Sequence, residues 1–374
     1  MDTAEGLIKL GGSLKLALIR RKFALTGGAE LYLQRLLSAL VKGGHDVHLF
    51  TESWQGQTAG VVVHPLPVSG SRAELPLKFA QAVKQELATE RFDCVFSLER
   101  TLQQEVYRAG DGLHRVWLQR RRATAPWWKR PFLSASAFHR NMLKLEAQTF
   151  SPENTGRIIV NSEMVKREIL EHFNFPKERI HLVRNGVDTA RFQSGNRAAT
   201  RARFGVKEDE FLLLFVGSGW ERKGLKPLIS ALRELSDKRV KLLVVGKGRK
   251  PWGPPKNVIF TGPMSVTENA YAAADLFTFL PIYEPSANVC FEALAAGLPV
   301  VTSAQNGAAE VIIEGVNGSV IARPDNKQAV VEAIRFWMER QECRPVKTPF
   351  DLSLERNGLE TVAVFEQAAR EKAR

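Results

Sequence analysis

Two glutamates, Glu284 and Glu292, stand eight residues apart in the stretch YEPSANVCFEALAAGLPVV, residues 283–301. The run Ala287–Ala296 reads as a helix, with Ser286 as its N-cap, Gly297 as its stop and Pro299 beyond it. Glu284 then precedes a helix N-terminus, and Glu292 projects from the helix about 1.5 turns in. Unpaired N–H groups of Ala287, Asn288 and Val289 at the positive end of the helix dipole suit an anion. Carboxylates beside them suit sugar hydroxyls. Alone, two such glutamates would more simply be the acidic turn of a surface helix. Lys223 adds a cation: it follows FLLLFVGSGWER at a helix start, where it could pair with a diphosphate or be an ordinary exposed lysine. The order Lys223-Gly224 is not GxxxxGK[ST], which excludes the triphosphatase loop. Gly27-Gly28 at the first strand-to-helix turn would let backbone approach a phosphate or sugar, though most such pairs only make turns, and it is not the GxGxxG of a dinucleotide site. Asp111 and His114 lie in the Gly-flanked loop VYRAGDGLHRVW, where Asp111 either faces an acceptor hydroxyl or caps a turn, with His114 then a surface histidine.

These residues need a scaffold. The 374 residues fit two domains, and 44% apolar with 25% charged residues describes a globular chain. No apolar run reaches a membrane span, and the acidic start MDTAEGLIKLGGS is unlike a signal peptide, so residues 1–13 are expected to be a disordered leader. Cys94, Cys290 and Cys343 form no CxxC pair, which fits neither a disulfide framework nor a metal site and suits a reducing cytoplasm. The net charge of +13 implies an anionic partner. Between Gly112 and Leu145 stand eight cations and no acid: Arg115, Arg120, Arg121, Arg122, Lys129, Arg130, Arg140 and Lys144. Trp117, Trp127, Trp128, Phe132 and Phe138 are interleaved with them. Such a segment fits an anionic membrane surface, a single-stranded nucleic acid, or a solvated face with core aromatics, about equally.

Strands at Leu14–Ile19, Val47–Thr51, Val61–Pro65, Phe92–Glu99 and Arg157–Val160 alternate with helices such as 29–42 and 77–89. RIHLVRNGVDTARF (179–192) reads as a strand broken at Asn185-Gly186, and the polar run 193–207 as a separator. The alternation then resumes from Phe211 to Ser303, with helices at 326–340 and about 352–372. The class is α/β with doubly wound parallel sheets, whose ligands bind at the carboxyl ends of the strands.

The Gly27-Gly28 loop, RIHLVRNGVDTARF, GSGWERKG, AAADLFTFLP, Glu284-x7-Glu292 with AAGLPVV, and NGAAEVIIEGVNG together resemble the GT-B nucleotide-sugar glycosyltransferases, in particular retaining family four. They occur in the family's order and cover nearly the whole chain. SWQG, VYRAGD, the basic segment ending LEAQTF and VGSGWERKG resemble its lipopolysaccharide core glucosyltransferases, which extend the first heptose. The resemblance implies two Rossmann-like domains facing a central cleft: an acceptor-binding domain at 14–184, a nucleotide-sugar-binding domain at 185–350, and a helix at 351–374 returning to the first. It also implies roles. Lys223 would hold the donor diphosphate near Gly217, Glu292 the ribose, and Glu284 the donor sugar, aided by Ala287, Asn288 and Val289. Gly27 and Gly28 would close over the diphosphate. Asp111 would face the acceptor, beside His114 and a membrane face of Arg120, Arg121, Arg122, Trp127, Trp128, Lys129 and Arg130. Where the family usually has an arginine stands Ser218, with Arg222 the nearest substitute, and Ala287 stands where glycine is usual.

The reaction so implied is a retaining, metal-independent transfer of a hexose, best glucose, from a UDP-sugar to a lipid-linked glycan at the inner face of the cytoplasmic membrane. No Asp-x-Asp is present to hold a divalent ion, no cofactor is expected, and UDP-sugar is a co-substrate. A different donor or acceptor, a UDP-sugar epimerase, and a basic nucleic-acid-binding protein are the rival readings, the last not expected because it leaves Lys223, Glu284 and Glu292 unexplained.

Overall fold

The computed structural model describes residues 12–23, 28–54, 59–132, 136–340 and 344–373. The expected leader at 1–13 and Cys343 fall almost wholly outside these. The chain forms two compact units, Met1–Arg184 with Glu355–Arg374, and Asn185–Leu354.

In the first unit the chain runs through β1 (Lys15–Ile19), β2 (Lys22–Phe23), α1 (Gly28–Lys42), β3 (Asp46–Thr51), β4 (Ser53–Trp54), β5 (Val61–Pro65), α2 (Leu75–Leu87), β6 (Cys94–Ser97), β7 (Gln104–Arg108), α3 (His114–Thr124), α4 (Ala137–Thr149), β8 (Thr155–Val160), α5 (Glu163–His172) and β9 (Ile180–Leu182). Seven strands pair in parallel in the order β5-β3-β1-β6-β7-β8-β9. Parallel strands are covered on both faces. On one face Leu33, Leu36, Leu37 and Leu40, at helical spacing along α1, pack with Leu16, Leu18 and Phe96. On the other, Phe79 and Val83 of α2 pack with Ala17, Ile19 and Phe50.

The second unit holds α6 (Thr189–Gln193), α7 (Arg197–Arg203), β10 (Phe211–Val216), α8 (Leu225–Leu235), β11 (Val240–Val245), β12 (Val258–Gly262), α9 (Glu268–Ala273), β13 (Leu276–Phe279), α10 (Asn288–Ala295), β14 (Val300–Ser303), β15 (Gly318–Ile321) and α11 (Lys327–Met338). Its sheet is also all parallel, in the order β12-β11-β10-β13-β14-β15. A last helix, α12 (Leu354–Lys372), lies mostly in the first unit, where Phe365 meets Phe96 with ring centroids 4.6 Å apart. Among the described residues no helix is long and apolar enough to cross a membrane.

Three expectations are corrected. VYRAGDGLHRVW is not one loop: it contains the end of β7 and the start of α3. The broken strand at 179–192 keeps only Ile180–Leu182; Thr189–Gln193 is helical because Asp188 Oδ1 accepts from the Arg191 N–H at 3.2 Å. The polar separator contains α7, capped by Asn196 and held by charge instead of an apolar stripe. Arg197 Nη2 and Arg344 Nη1 donate to Asp275 Oδ1 at 2.8 and 3.0 Å, while Arg201 Nη1 and the Leu212 N–H donate to Oδ2 at 3.2 and 2.7 Å. Burial first, then Arg197 and Arg201, bring Arg344 down to about 10 against the pull of Asp275.

Asp275 is thus the buried carboxylate that three guanidiniums share, while the exposed Glu208 reaches only Arg201, at 4.0 Å. Removing one partner of a buried ion pair typically costs ~3–5 kcal/mol. Asp275→Ala is expected to lower the urea midpoint of the second unit by a loss of that order, read by chemical denaturation, whereas Asp325→Ala on the surface leaves it unchanged.

Candidate active site

β10 and β13 are neighbouring parallel strands at the point where the order of the second sheet reverses. Loops leaving the carboxyl ends of such strands flank the crevice in which open α/β sheets bind ligands. The two loops here touch. Gly224, the N-cap of α8, has φ 83°, and a Cβ on it would lie 1.9 Å from the Leu280 carbonyl oxygen. Only glycine permits both the backbone conformation and the approach. The Ile282 N–H donates to the Arg222 carbonyl at 3.0 Å, and the Arg222 guanidinium lies 3.3 Å from Glu284 Oε2.

Lys223 folds back over Gly217, where a Cβ would lie 2.9 Å from Lys223 Cδ. Its ammonium sits 5.7 Å from the Phe279 ring centroid and, among the described residues, makes no hydrogen bond or ion pair. Burial lowers its pKa; Glu284 and Glu292 oppose that, while Arg222 adds to it. A desolvated ammonium with no salt-bridge partner is poised for an anion.

At α10 the expected cap is corrected. Ala287, not Ser286, is the N-cap and offers no side-chain bond, while the buried Ser286 Oγ has no hydrogen-bond partner among the described residues. The capping oxygen comes from Asn306, whose Oδ1 accepts from the N–H groups of Ala287 and Ala308, both at 3.1 Å. The Ala287 N–H is therefore already engaged. Asn288 and Val289 keep N–H groups with no bond among the described residues, and Asn288 Oδ1 accepts from Asn185 Nδ2 at 2.6 Å. One helical turn on, Glu292 Oε2 accepts from the Tyr271 hydroxyl at 2.6 Å. Enclosure raises the Glu292 pKa, opposed by Tyr271, Arg191 and Lys223.

The structure thus brings Lys223, Arg222, Glu284, Glu292, Asn288 and Val289 to one end of one sheet. Ser218 stands in the same loop as Gly217 but turns to other work, its Oγ accepting from the Lys247 N–H at 3.1 Å. Tyr271, Asn306 and Asn185 were not foreseen. None carried a signal, since their partners lie 21, 19 and 103 residues away. Chemically the arrangement can hold an anion with one free cation, one exchangeable cation and two N–H groups, and can take hydroxyls on its two acids.

The remaining candidates are in the first unit. Gly28 opens α1, and Gly27 lies outside the described residues. Asp111 is exposed in the turn between β7 and α3. That turn is fixed from below by Glu146, which is buried, accepts from the His114 and Arg115 N–H groups, and pairs with Arg100 at 3.5 Å. Arg100 Nη2 in turn donates to the Gly112 carbonyl at 2.7 Å. His114 is not a surface histidine. It is partly buried, stacks on Trp117, and its Nε2 is 3.0 Å from His139 Nδ1. Burial, then Arg100 and His139, push its pKa down to about 4. Arg120, Arg122 and Arg130 are exposed, Arg121 lies over Trp117, and Lys129 is in the turn Trp127–Phe132. Trp127 and Trp128 are 75% and 57% exposed, outside any core.

Two family models match: Glycosyltransferase Family 4 over residues 26–191 and Glycosyl transferases group 1 over residues 196–347. The chain is 26% identical over 340 residues to the lipopolysaccharide glucosyltransferase WaaG of Escherichia coli (strain K12), covering 85% of this chain and 88% of that one. It is 26% identical to a D-inositol 3-phosphate glycosyltransferase of Arthrobacter sp. (strain FB24), over 79% of this chain and 78% of that one. The fold matches the crystal structure of WaaG with a TM-score of 0.76 at 24% identity, over 95% and 99% of the two chains. It also matches Anabaena Alr3699/HepE in complex with UDP and glucose, with a TM-score of 0.68 at 18% identity, over 96% and 99%.

His114 yields a pH dependence. Its folded pKa lies below the ordinary 6.5, so the unfolded chain takes up the proton first; the stability it contributes is complete above about 6.5 and is lost as pH falls toward about 4. Urea midpoints measured at pH 7 and pH 5 are expected to fall less for His114→Gln than for the natural chain.

Proposed function

Because the chain is a glycosyltransferase of group 1 and family four, with two all-parallel sheets of the GT-B kind, we propose that it is a retaining hexosyltransferase that moves glucose from UDP-glucose to a lipid-linked glycan. The inner-core heptose of a lipopolysaccharide fits best as acceptor. One observation carries this reading: the unpaired Lys223 ammonium shares one end of a sheet with Glu284, Glu292 and the free N–H groups of α10. The activity named for the Escherichia coli relative and the UDP and glucose held by the Anabaena relative support the donor.

Cleaving the bond between the anomeric carbon and the phosphate oxygen develops positive charge on the sugar and negative charge on the departing diphosphate. Lys223 and the α10 N-terminus meet that negative charge without a metal. Arg222 supplies the second cation in place of an arginine at Ser218. In the free protein it is held by Glu284; the diphosphate draws it off and leaves Glu284 open to the sugar hydroxyls. Glu292, oriented by Tyr271, takes the ribose hydroxyls. The Ala287 methyl narrows the donor pocket at a position where the family resemblance implies glycine. The acceptor hydroxyl attacks on the face from which the diphosphate leaves, its proton passing to the departing phosphate oxygen as the new glycosidic bond forms, and Asp111 is assigned to acceptor recognition. Arg120, Arg121, Arg122, Lys129 and Arg130 with the exposed Trp127 and Trp128 form a peripheral contact with the anionic inner face of the cytoplasmic membrane.

Lys223→Ala and Glu292→Ala are each expected to lower transfer by at least about a hundredfold with an unchanged circular dichroism spectrum, and Arg222→Ala by about tenfold, mostly through donor binding. Assays over UDP-, GDP- and ADP-sugars check this; unchanged turnover for Lys223→Ala sinks the assigned site. A donor-only incubation that releases an altered UDP-sugar would make the protein an epimerase. Trp127→Ala with Trp128→Ala is expected to reduce flotation with phosphatidylglycerol vesicles; binding to RNA oligonucleotides but not to vesicles would end the membrane assignment.

A further inference from the structure

The loop between β11 and β12 is not used by the chemistry above. From Lys247 to Lys256 it reads KGRKPWGPPK, with Lys247, Arg249, Lys250 and Lys256 and no acid. Trp252 at its tip is 100% exposed, the most exposed of the large apolar side chains among the described residues. An uncovered indole is a large apolar surface left in water, and here none of the described residues covers it.

The loop is built to present it. The Gly219 N–H donates to the Lys247 carbonyl at 3.2 Å, and the Lys247 N–H to Ser218 Oγ at 3.1 Å. Gly248 lies so close to the Trp220 indole that a Cβ there would be 2.3 Å from the ring. On the far side, Arg233 Nη2 donates to the Gly253 carbonyl at 2.9 Å, and Lys250 lies over the Phe260 ring at 5.4 Å from its centroid. Pro251, Pro254 and Pro255 restrict the backbone on both sides of the tip. A tip held in this way loses little freedom on docking.

We propose that this loop is a membrane anchor of the second unit, with Trp252 seated among the headgroups of an anionic bilayer and Lys247, Arg249, Lys250 and Lys256 against its phosphates. One projecting indole flanked in the chain by exposed cations matches a flat, anionic, amphipathic surface. A single-stranded nucleic acid calls instead for several aromatics along a charged groove, and a sugar site for acids or amides beside the ring, of which the loop has none. The anchor is distinct in sequence and in unit from the Trp127–Trp128 face and does not depend on it.

The test uses the full chain, with sedimentation on vesicles of phosphatidylglycerol and phosphatidylethanolamine, on pure phosphatidylcholine vesicles, and UDP titration without vesicles. Trp252→Ala, and separately Arg249→Glu with Lys250→Glu, are made in the natural chain and in the Trp127→Ala, Trp128→Ala background. Each is expected to weaken anionic-vesicle binding about fivefold or more in both backgrounds, to leave UDP affinity unchanged, and Trp252→Ala to reduce quenching of tryptophan emission by brominated lipid. Vesicle binding unchanged by Trp252→Ala overturns the proposal. So does loss of UDP affinity in that variant, which would give the loop to the nucleotide, and so does absence of vesicle binding by the natural chain. Unchanged vesicle binding by Trp252→Ala with full transfer to a soluble acceptor marks failure of the anchor alone, whereas weakened vesicle binding with no transfer by the natural chain marks failure of the transferase assignment alone.

Discussion

The contact between Gly224 and the Leu280 carbonyl is the constraint on which the candidate site rests. It forces the loop after β10 onto the loop after β13, and the Ile282 N–H to Arg222 carbonyl bond locks them together. A side chain at residue 224 would pry the loops apart and carry Arg222 and Lys223 away from Glu284. Charges of opposite sign are thereby held close by backbone packing, not by their own attraction, which in the pair at 3.3 Å is modest for partly exposed groups. That is why the ammonium of Lys223 can remain unpaired: its position is set by the turn it follows.

Two carboxylates in the same site are held differently. Glu284 lies against the Arg222 guanidinium, whereas Glu292 is enclosed, with a raised pKa, and is held by the Tyr271 hydroxyl. Their partners separate the tasks proposed for them. An acid whose cation can be drawn off is suited to exchange, while one fixed by a buried phenol is suited to orient a ligand without moving. Asn306 serves the same end, using one amide oxygen to finish α10 and its Nδ2 to bond Thr302 Oγ1 at 3.0 Å.

Much of this was legible in the chain. Alternating apolar strands and amphipathic helices gave the parallel α/β class, and the Gly-rich turn before Lys223 and the run after Glu284 could be placed at strand ends because turn residues mark those ends. What was illegible has physical causes. Ser286 resembles a cap, yet the cap oxygen is Asn306, which only the fold brings near. Residues 189–193 and 197–203 are helices whose stability comes from Asp188, Asn196 and the Asp275 cluster, so no apolar period announces them. His114 resembled a surface residue because its partners, His139 and Glu146, stand 25 and 32 residues further on.

The last helix carries a consequence for how the molecule comes into being. Val362, Phe365 and Ala368 of α12 are part of the same core as Leu16, Leu18 and Phe96 of the first sheet. That core therefore cannot close until α12 has left the ribosome, although β1 is made well before it. The second unit, Asn185–Leu354, is continuous in the chain and can assemble while the first still waits. During synthesis the older half is the unfinished one, its core of β1, β3 and α1 lacking Val362, Phe365 and Ala368 until α12 arrives.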